Sequence, residues 1–515
     1  MMLLKAKPLP LEADKPIAVL NKEDAKELGV KPLGRVRIKS GKKEIVAIVN
    51  EAERIVKPGE IGLYEDILER LKLDLRKPLL VSPEESPKSL IYIKRKMKGC
   101  VLTKGEIDAI VKDTVSNKLS DIELTAFVTS LYNHGMTMSE ILNLSMAMKN
   151  AGSSLDLGGG KTIYDKHSIG GIPGDKTSII VVPIVAAAGL TIPKTSSRAI
   201  TSPAGTADRF ECIAPVNLSI EQIKKVVKKT GGCIVWGGAV DLSPADDMFI
   251  KIEYPLSIDP FLLPSVMSKK KAVGAKYLVI DIPTGDEAKI TTSEEFENLA
   301  DKFITLGKKM GITVNAVSTY ADEPLGFAVG PAIEAREALK LLMTGEGPAD
   351  LIDKAATIAG VLLSFAGHKD GKTMALHILK SGKAYRKLRE IIEAQGGNPD
   401  IKPKDIRLGS ERAEIISKHD GIVKKISNRY IAILARQAGA PAHRGAGVLL
   451  HKKIGDKVKK GDVLFEIYAE KKDKLKLAEE SANNLEAMRV GKRSSVTLER
   501  LPDKGNHREY FILER

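Results

Sequence analysis

K-H-S-I-G-G-I-P-G-D-K-T-S, residues 166–178, and S-S-R-A-I-T-S-P-A-G-T, residues 196–206, are the stretches from which the rest of this chain is read. Between them runs a nearly unbroken apolar segment, Ile179 to Leu190. Gly170, Gly171 and Gly174 permit positive φ and let backbone amides approach a ligand with no Cβ in the way. A turn of this kind feeding a helix N-terminus offers converging N–H donors and a favourable dipole, which is what a phosphate needs. Lys166, Ser168, Lys176, Thr177 and Ser178 add charge and further donors. The spacing is not that of a P-loop, because Asp175 stands five residues after Gly170, where an ATP-binding loop requires glycine. If one buried helix joins the two polar stretches, they meet at one edge of a sheet as an anion cradle.

The surrounding pattern supports such a sheet. Past Ala151, candidate strands at Ile192–Ser196, Cys233–Gly237, Tyr277–Ile282 and Thr313–Val317 alternate with helical segments. Alternation of this kind predicts a largely parallel sheet wrapped by helices, with ligands at the carboxyl ends of the strands. Residues 158–240 and 274–409 are assigned to this central domain. Before it, residues 89–157 read as helical. Thr103 with Glu106 forms a capping box, and Leu119–Tyr132 and Met138–Lys149 carry apolar residues at helical spacing. Residues 241–273 are expected to return to this helical domain.

The two ends of the chain are β-rich. Residues 1–88 show short strands at Ile17–Leu20, Arg35–Ile38 and Ile45–Val49 separated by turns, with helical pieces at Lys22–Leu28 and Tyr64–Leu71, which predicts a small barrel. Val81–Lys88, with two prolines, reads as a linker. Residues 410–515 hold H-D-G-I-V and I-G-D-K-V-K-K-G-D-V-L-F-E-I, similar to the halves of a biotinyl/lipoyl-type sandwich. No M-K-M turn joins them, so a structural or assembly role is expected rather than a swinging arm.

Composition narrows the functional classes. At 515 residues the chain is too long for one core. No apolar run is long enough to span a bilayer, and the N-terminus has no long apolar signal region. Three cysteines, Cys100, Cys212 and Cys233, are too few and too scattered for a disulfide framework or a zinc site. A cytoplasmic protein without membrane partners is expected. The net charge of +15 is spread among interleaved Lys and Glu, and aromatics make up only 4%. That describes a solvated surface rather than a nucleic-acid stripe. Glutamine occurs only at 222, 395 and 437 while Lys and Glu abound, a pattern of proteins from hot environments.

K-H-S-x-G-G, G-D-K-T-S, S-S-R-A-I-T-S-P-A-G-T-A-D-R-F-E and the later S-x-x-x-K-K, in that order, resemble the thymidine/pyrimidine-nucleoside phosphorylase family from about Thr103 onward. The N-terminal barrel and the I-P-G form of the loop are similar to a branch of it that acts on nucleoside 5′-monophosphates. The resemblance implies an α/β multidomain enzyme: a barrel, a helical domain, a central domain of nucleoside phosphorylase/phosphoribosyltransferase type, and a C-terminal β-rich sandwich. It implies phosphorolysis of AMP to adenine and α-D-ribose 1,5-bisphosphate, with a nucleoside monophosphate and inorganic phosphate as substrates and with no metal or organic cofactor. It further implies a homodimer or larger homo-oligomer, with a ribose-1,5-bisphosphate isomerase and RuBisCO as pathway neighbours.

Residue by residue, the resemblance assigns Lys166, Ser168, Ser178, Ser196 and Thr206 to the attacking phosphate. It assigns Gly171, Ser197, Arg198, Ala199, Ile200, Thr201, Ser202, Thr206, Ser265 and Lys289 to the nucleotide, and Asp259 to proton donation. Ser265 and Lys269 stand where the nucleoside enzymes bind the base, but the arginine expected near Ile250 is missing, against a thymidine-type base site. His167 is a further candidate acid or orienting group. Asp175 and Lys176 are candidates to pair with each other. As donor, Asp259 must hold a proton near neutral pH, and shielding by Phe261 and Leu262 would supply the reason; equally, Asp259 before Pro260 suits a helix start. Alternatives are a pyrimidine-nucleoside phosphorylase, an enzyme like anthranilate phosphoribosyltransferase, and a non-enzymatic nucleic-acid-binding protein.

Overall fold

The computed structural model describes residues 1–13, 15–71, 77–158, 160–199 and 202–491. Ile200 and Thr201, and residues 492–515 of the C-terminal assignment, lie outside the described residues.

The chain begins with a closed barrel in the order β1 (Met2–Pro8), β5 (Glu60–Leu63), β2 (Ile17–Asn21), β4 (Lys43–Ala52), β3 (Arg35–Ser40) and β6 (Leu79–Glu84). Helices α1 (Lys22–Leu28) and α2 (Glu65–Leu71) belong to the same part of the chain. The reading of Val81–Lys88 as a linker fails over its first half. Residues 79–84 pair with both β1 and β3 and close the barrel. Pairing with β1 stops at Val81, so Pro83 sits where the strand has a single neighbour, a position that tolerates a missing N–H.

Helices α3 (Ser89–Met97), α4 (Lys104–Val115), α5 (Asp121–His134) and α6 (Met138–Asn150) follow, three of them opened by capping boxes at Thr103, Ser120 and Thr137. The central sheet is parallel. Strand β7 (Tyr164–Ser168) leads through the loop 169–176 into α7 (Thr177–Ala187), which is buried along nearly its whole length, and then into β8 (Ile192–Ser196). Helix α8 (Thr206–Glu211) precedes α9 (Ile220–Thr230), whose buried Ile223, Val226, Val227 and Thr230 form one stripe, and Gly231 at φ +82° ends it. Strand β9 (Gly232–Trp236) pairs with β8. Helices α10 (Pro244–Leu256) and α11 (Leu262–Val273) then cross to the helical bundle: Phe249 and Phe261 stack at 4.2 Å between centroids and share a core with Phe127 of α5.

The chain re-enters the sheet as β10 (Tyr277–Thr284), passes α12 (Ser293–Met310), and adds β11 (Thr313–Tyr320). The order β11-β10-β7 is joined to β8-β9 by a parallel bridge, Ile163 to Thr191. The loops after β7 and β8 therefore leave adjacent strand ends on the same edge, as the helix-linked reading anticipates. Past β12 (Ala328–Val329), helices α13 (Pro331–Thr344), α14 (Ala349–Phe365), α15 (Gly371–Lys380) and α16 (Lys383–Ala394) share a core with α7.

The C-terminal region packs β13 (Glu411–Ile416), β15 (Gly447–Leu450) and β17 (Val463–Ala469) with β12, and β14 (Gly421–Ile426) with β16 (Lys457–Val458) and β18 (Met488–Gly491). It also holds α17 (Asn428–Gln437) and α18 (Lys472–Asn484). Because β12 belongs to the central domain, the C-terminal sheet is stitched directly onto it. The multidomain α/β architecture read from the sequence is thus present.

Candidate active site

The glycine loop is held from beneath by two buried lysines. Lys176 is fully buried, and its Nζ donates to the carbonyls of Leu325 (2.9 Å) and Ala328 (3.1 Å) and to the Glu337 carboxylate. A Cβ on Gly174, at φ +81°, would lie 2.5 Å from the Leu325 carbonyl, so the loop reaches these carbonyls only with glycine there. Lys354 on α14 lies 2.9 Å from Asp281 and 3.8 Å from Asp175. Burial opposes the charges of both Lys354 and Asp175, yet each is overruled by its partner: Lys354 is raised, and Asp175 is held well below the ordinary carboxylate range. Asp175 and Lys176 thus pair with α14 and α13, not with each other; adjacent residues at a helix start point in different directions.

Above this platform stands Lys166, 2% exposed, with no ion pair among the described residues. Burial pushes its ammonium below the ordinary lysine value, with Asp175 and Asp281 partly offsetting that. An unneutralised cation in a protein interior is costly, and here it adjoins the amino end of α7, where Ser178 is also buried. Ser168 Oγ accepts a hydrogen bond from Gly170 N at 3.4 Å, and Ser196 Oγ donates to Val235 O at 3.4 Å. His167 is driven well below its ordinary value by burial and by Lys270, Lys194 and Lys269. That shift favours the neutral ring, which suits the orienting role of the two read from the sequence.

The second hydroxyl stretch is shaped by one carboxylate. Asp208 Oδ2 accepts from Ala199 N (2.7 Å) and Gly205 N (2.8 Å), folding the loop back on the start of α8 where Thr206 lies. Ser197 is exposed, and Ser202 Oγ donates to Ala204 O at 3.0 Å. The Arg198 fork, expected to face phosphate, is taken up by Glu211 at 2.8 and 2.9 Å and lies 5.0 Å from the Trp236 ring centre. Arg444 of the C-terminal region grips the same Glu211 at 2.7 Å.

Across the cleft, the helical domain supplies Ser265, Lys269 and Asp259. Lys269 Nζ donates to Ser265 Oγ at 3.3 Å and pairs at 2.5 Å with Asp246, which is wholly buried. Burial works against the Lys269 ammonium, and Asp246 outweighs it. Asp259 is not shielded as expected. Phe261 turns into the aromatic core of the helical bundle, and the Asp259 side chain is 41% exposed, 2.6 Å from Lys289 Nζ. Gly171, at φ +97°, abuts that lysine: a Cβ there would lie 3.2 Å from Lys289 N. The loop bearing Lys289 is anchored from the C-terminal region, because Glu287 accepts from Ser427 Oγ (2.8 Å) and Arg429 N (3.0 Å), capping α17 from outside.

Two groups near Asp259 were not singled out from the sequence. Asp246, half of an adjacent acidic pair, holds Lys269. Glu253, 7% exposed, takes the Phe261 N–H at 3.1 Å on Oε1 and the Ile258 N–H on its carbonyl, bracing the turn that carries Asp259. Only the i, i+1 carboxylates at 246–247 could have drawn attention; nothing local marks Glu253. Burial first, and Asp259 and Asp246 second, push the Glu253 carboxyl up to about 7. A raised folded value means that the stabilisation is complete below the unfolded value near 4.5 and is lost as pH rises through 7. Glu253→Gln, which keeps the acceptor for Phe261, should therefore melt like the parent at pH 4 and be the more stable of the two at pH 8, by up to about 3 kcal/mol. Denaturant melts at the two pH values check this.

These parts match known proteins. Models of a glycosyl transferase family match the helical bundle domain at residues 91–152 and the a/b domain at 160–385, and the pyrimidine nucleoside phosphorylase C-terminal domain matches at 422–488. Over nearly its whole length the chain is 48% identical to an AMP phosphorylase of Thermococcus sibiricus, covering 95% of this chain and 98% of the relative. It is 50% identical to an AMP phosphorylase of Thermococcus kodakarensis, with 92% and 94% covered. A solved anthranilate phosphoribosyltransferase of Thermus thermophilus aligns at 21% identity with a TM-score of 0.49, over 59% of this chain and 98% of that one. The chain belongs to the AMP phosphorylase family.

Proposed function

We propose that this protein cleaves AMP with inorganic phosphate, giving adenine and ribose 1,5-bisphosphate. The observation that supports it most is the pair of lysines at the glycine turn. Lys166 stands three residues before Ile169 as a buried lysine with no ion pair among the described residues, and Lys289 lies against Gly171. Two cationic centres so arranged suit two oxyanions on one sugar, the attacking phosphate at Lys166, Ser168, Ser178, Ser196 and Thr206, and the 5′-phosphate at Lys289 with the 197–202 loop. Phosphate attacks C1′, the C1′–N bond breaks, and the electron pair left on the base nitrogen takes a proton from Asp259. Ser265 and Lys269 face the base. Holding both substrates removes several kcal/mol of entropic cost from the encounter.

The test is incubation with AMP, with and without phosphate, with free adenine measured. Adenine appearing only with phosphate is expected; adenine in both, or in neither, would discard the reading. A homo-oligomer in the cytoplasm, feeding an isomerase of ribose 1,5-bisphosphate and RuBisCO, remains part of the proposal.

A further inference from the structure

Lys289 and Asp259 are each assigned a separate task in that reaction, one on the 5′-phosphate and one on the base, yet they are bonded to each other at 2.6 Å. They come from opposite walls of the cleft: Asp259 from the turn between α10 and α11, Lys289 from the loop between β10 and α12. Both walls are fixed. The Asp259 turn is pinned by Glu253 through Phe261 N and Ile258 N. The Lys289 loop is pinned by Glu287 on the amino end of α17, and by Asp322, which accepts from Asp286 N at 2.7 Å. The two side chains thus meet between two turns that are each held by hydrogen bonds to their backbone, and each occupies the other's functional atom. A carboxylate locked onto an ammonium has no proton to give, and an ammonium so locked is only partly available to phosphate.

We propose that the 5′-phosphate of the substrate displaces Asp259 from Lys289, and that this displacement converts Asp259 from a counter-ion into the proton donor. The proposal rests on the AMP reading above. A dianionic phosphate outcompetes a single carboxylate for an ammonium, with more charge and more acceptor oxygens. Asp259, left without its cation, faces the Glu253 side chain on α10 and the phosphate oxygens in place of an ammonium. The proton comes from solvent, passes to the base nitrogen as the C1′–N bond breaks, and is replaced from solvent when products leave and the Lys289 pair re-forms. Nucleotide is then chosen over nucleoside by rate as well as by affinity, because a nucleoside leaves the pair closed.

Lys289→Met opens the pair permanently and separates this from a simple phosphate anchor. AMP should bind more weakly to the variant, while its kcat for adenosine rises about tenfold over the parent, and the pH at which that rate falls by half moves up by about one unit. Lys289→Arg, which keeps a cation facing Asp259, should raise the adenosine rate by much less than Lys289→Met does. A second measurement is independent of turnover: ribose 5-phosphate binding, followed calorimetrically in two buffers of different ionisation enthalpy, should show proton uptake by the parent beyond that of Asp259→Asn. Adenosine turnover in Lys289→Met that is unchanged, lower or absent, together with equal proton uptake by parent and Asp259→Asn, overturns the coupling. Failure of the parent to release adenine from AMP and phosphate would instead strike the AMP reading itself.

Discussion

Asp259→Asn is expected to lower kcat for AMP phosphorolysis by about 10²- to 10⁴-fold, the usual contribution of a positioned general acid. Affinity for AMP should hold or improve slightly, because the asparagine no longer competes for Lys289, which the aspartate contacts at 2.6 Å. The substitution is nearly isosteric at a half-exposed side chain, so folding is spared and the loss can be read as chemistry. Steady-state kinetics at saturating phosphate, with adenine as the product followed, gives the answer. Retention of more than a tenth of the parent rate would move the proton donor elsewhere, and Glu253, whose carboxyl titrates near 7 behind the same turn, would be the group to replace next.

Lys354→Met is the second large effect, and it acts on stability. Its side chain is 4% exposed and stands between Asp281 and Asp175, which have no other cation within 4 Å among the described residues. Removing one member of a buried charge cluster leaves the rest uncompensated, at a cost of about 3–5 kcal/mol. Urea midpoints at neutral pH should fall accordingly, and the KM for phosphate should rise, because Asp175 opens the helix that carries Ser178 and shares its field with Lys166. Sign and range follow from Asp175. A carboxylate held low in the folded state stabilises above the unfolded value near 4 and loses that contribution as pH falls further. The gap between parent and variant should therefore narrow below about pH 4. A constant gap down to pH 3 would show that packing, not charge, is what the substitution removed.

Much of this was visible in the chain itself, and what was hidden shares one cause. The glycine turn, the buried helix and the hydroxyl loop announce themselves because their signals are local: positive-φ glycines, an apolar run of helical length, hydroxyls at strand ends. The partners of the charged residues do not, since Lys176 finds Glu337 and Asp175 finds Lys354 over well more than a hundred residues of chain. Arg198 looked like a phosphate fork because Glu211, thirteen residues on, gives no sign of turning back toward it. Phe261 reads as a shield for Asp259 only if nearness in sequence means nearness in space, and here it does not. Two residues two positions apart before a helix start can face opposite ways, one to the aromatic core and one to Lys289.

The barrel at the amino end has a consequence of its own. Every one of its six strands has two neighbours in the ring. A closed ring has no edge strand and leaves only short unpaired stretches, such as the end of β6 past Val81, so it is a poor template for intermolecular sheets. After heat has melted the catalytic part of the molecule, the clumping that follows should recruit the barrel only as a tethered passenger, and protease treatment of such precipitates should release residues 1–84 as a folded fragment.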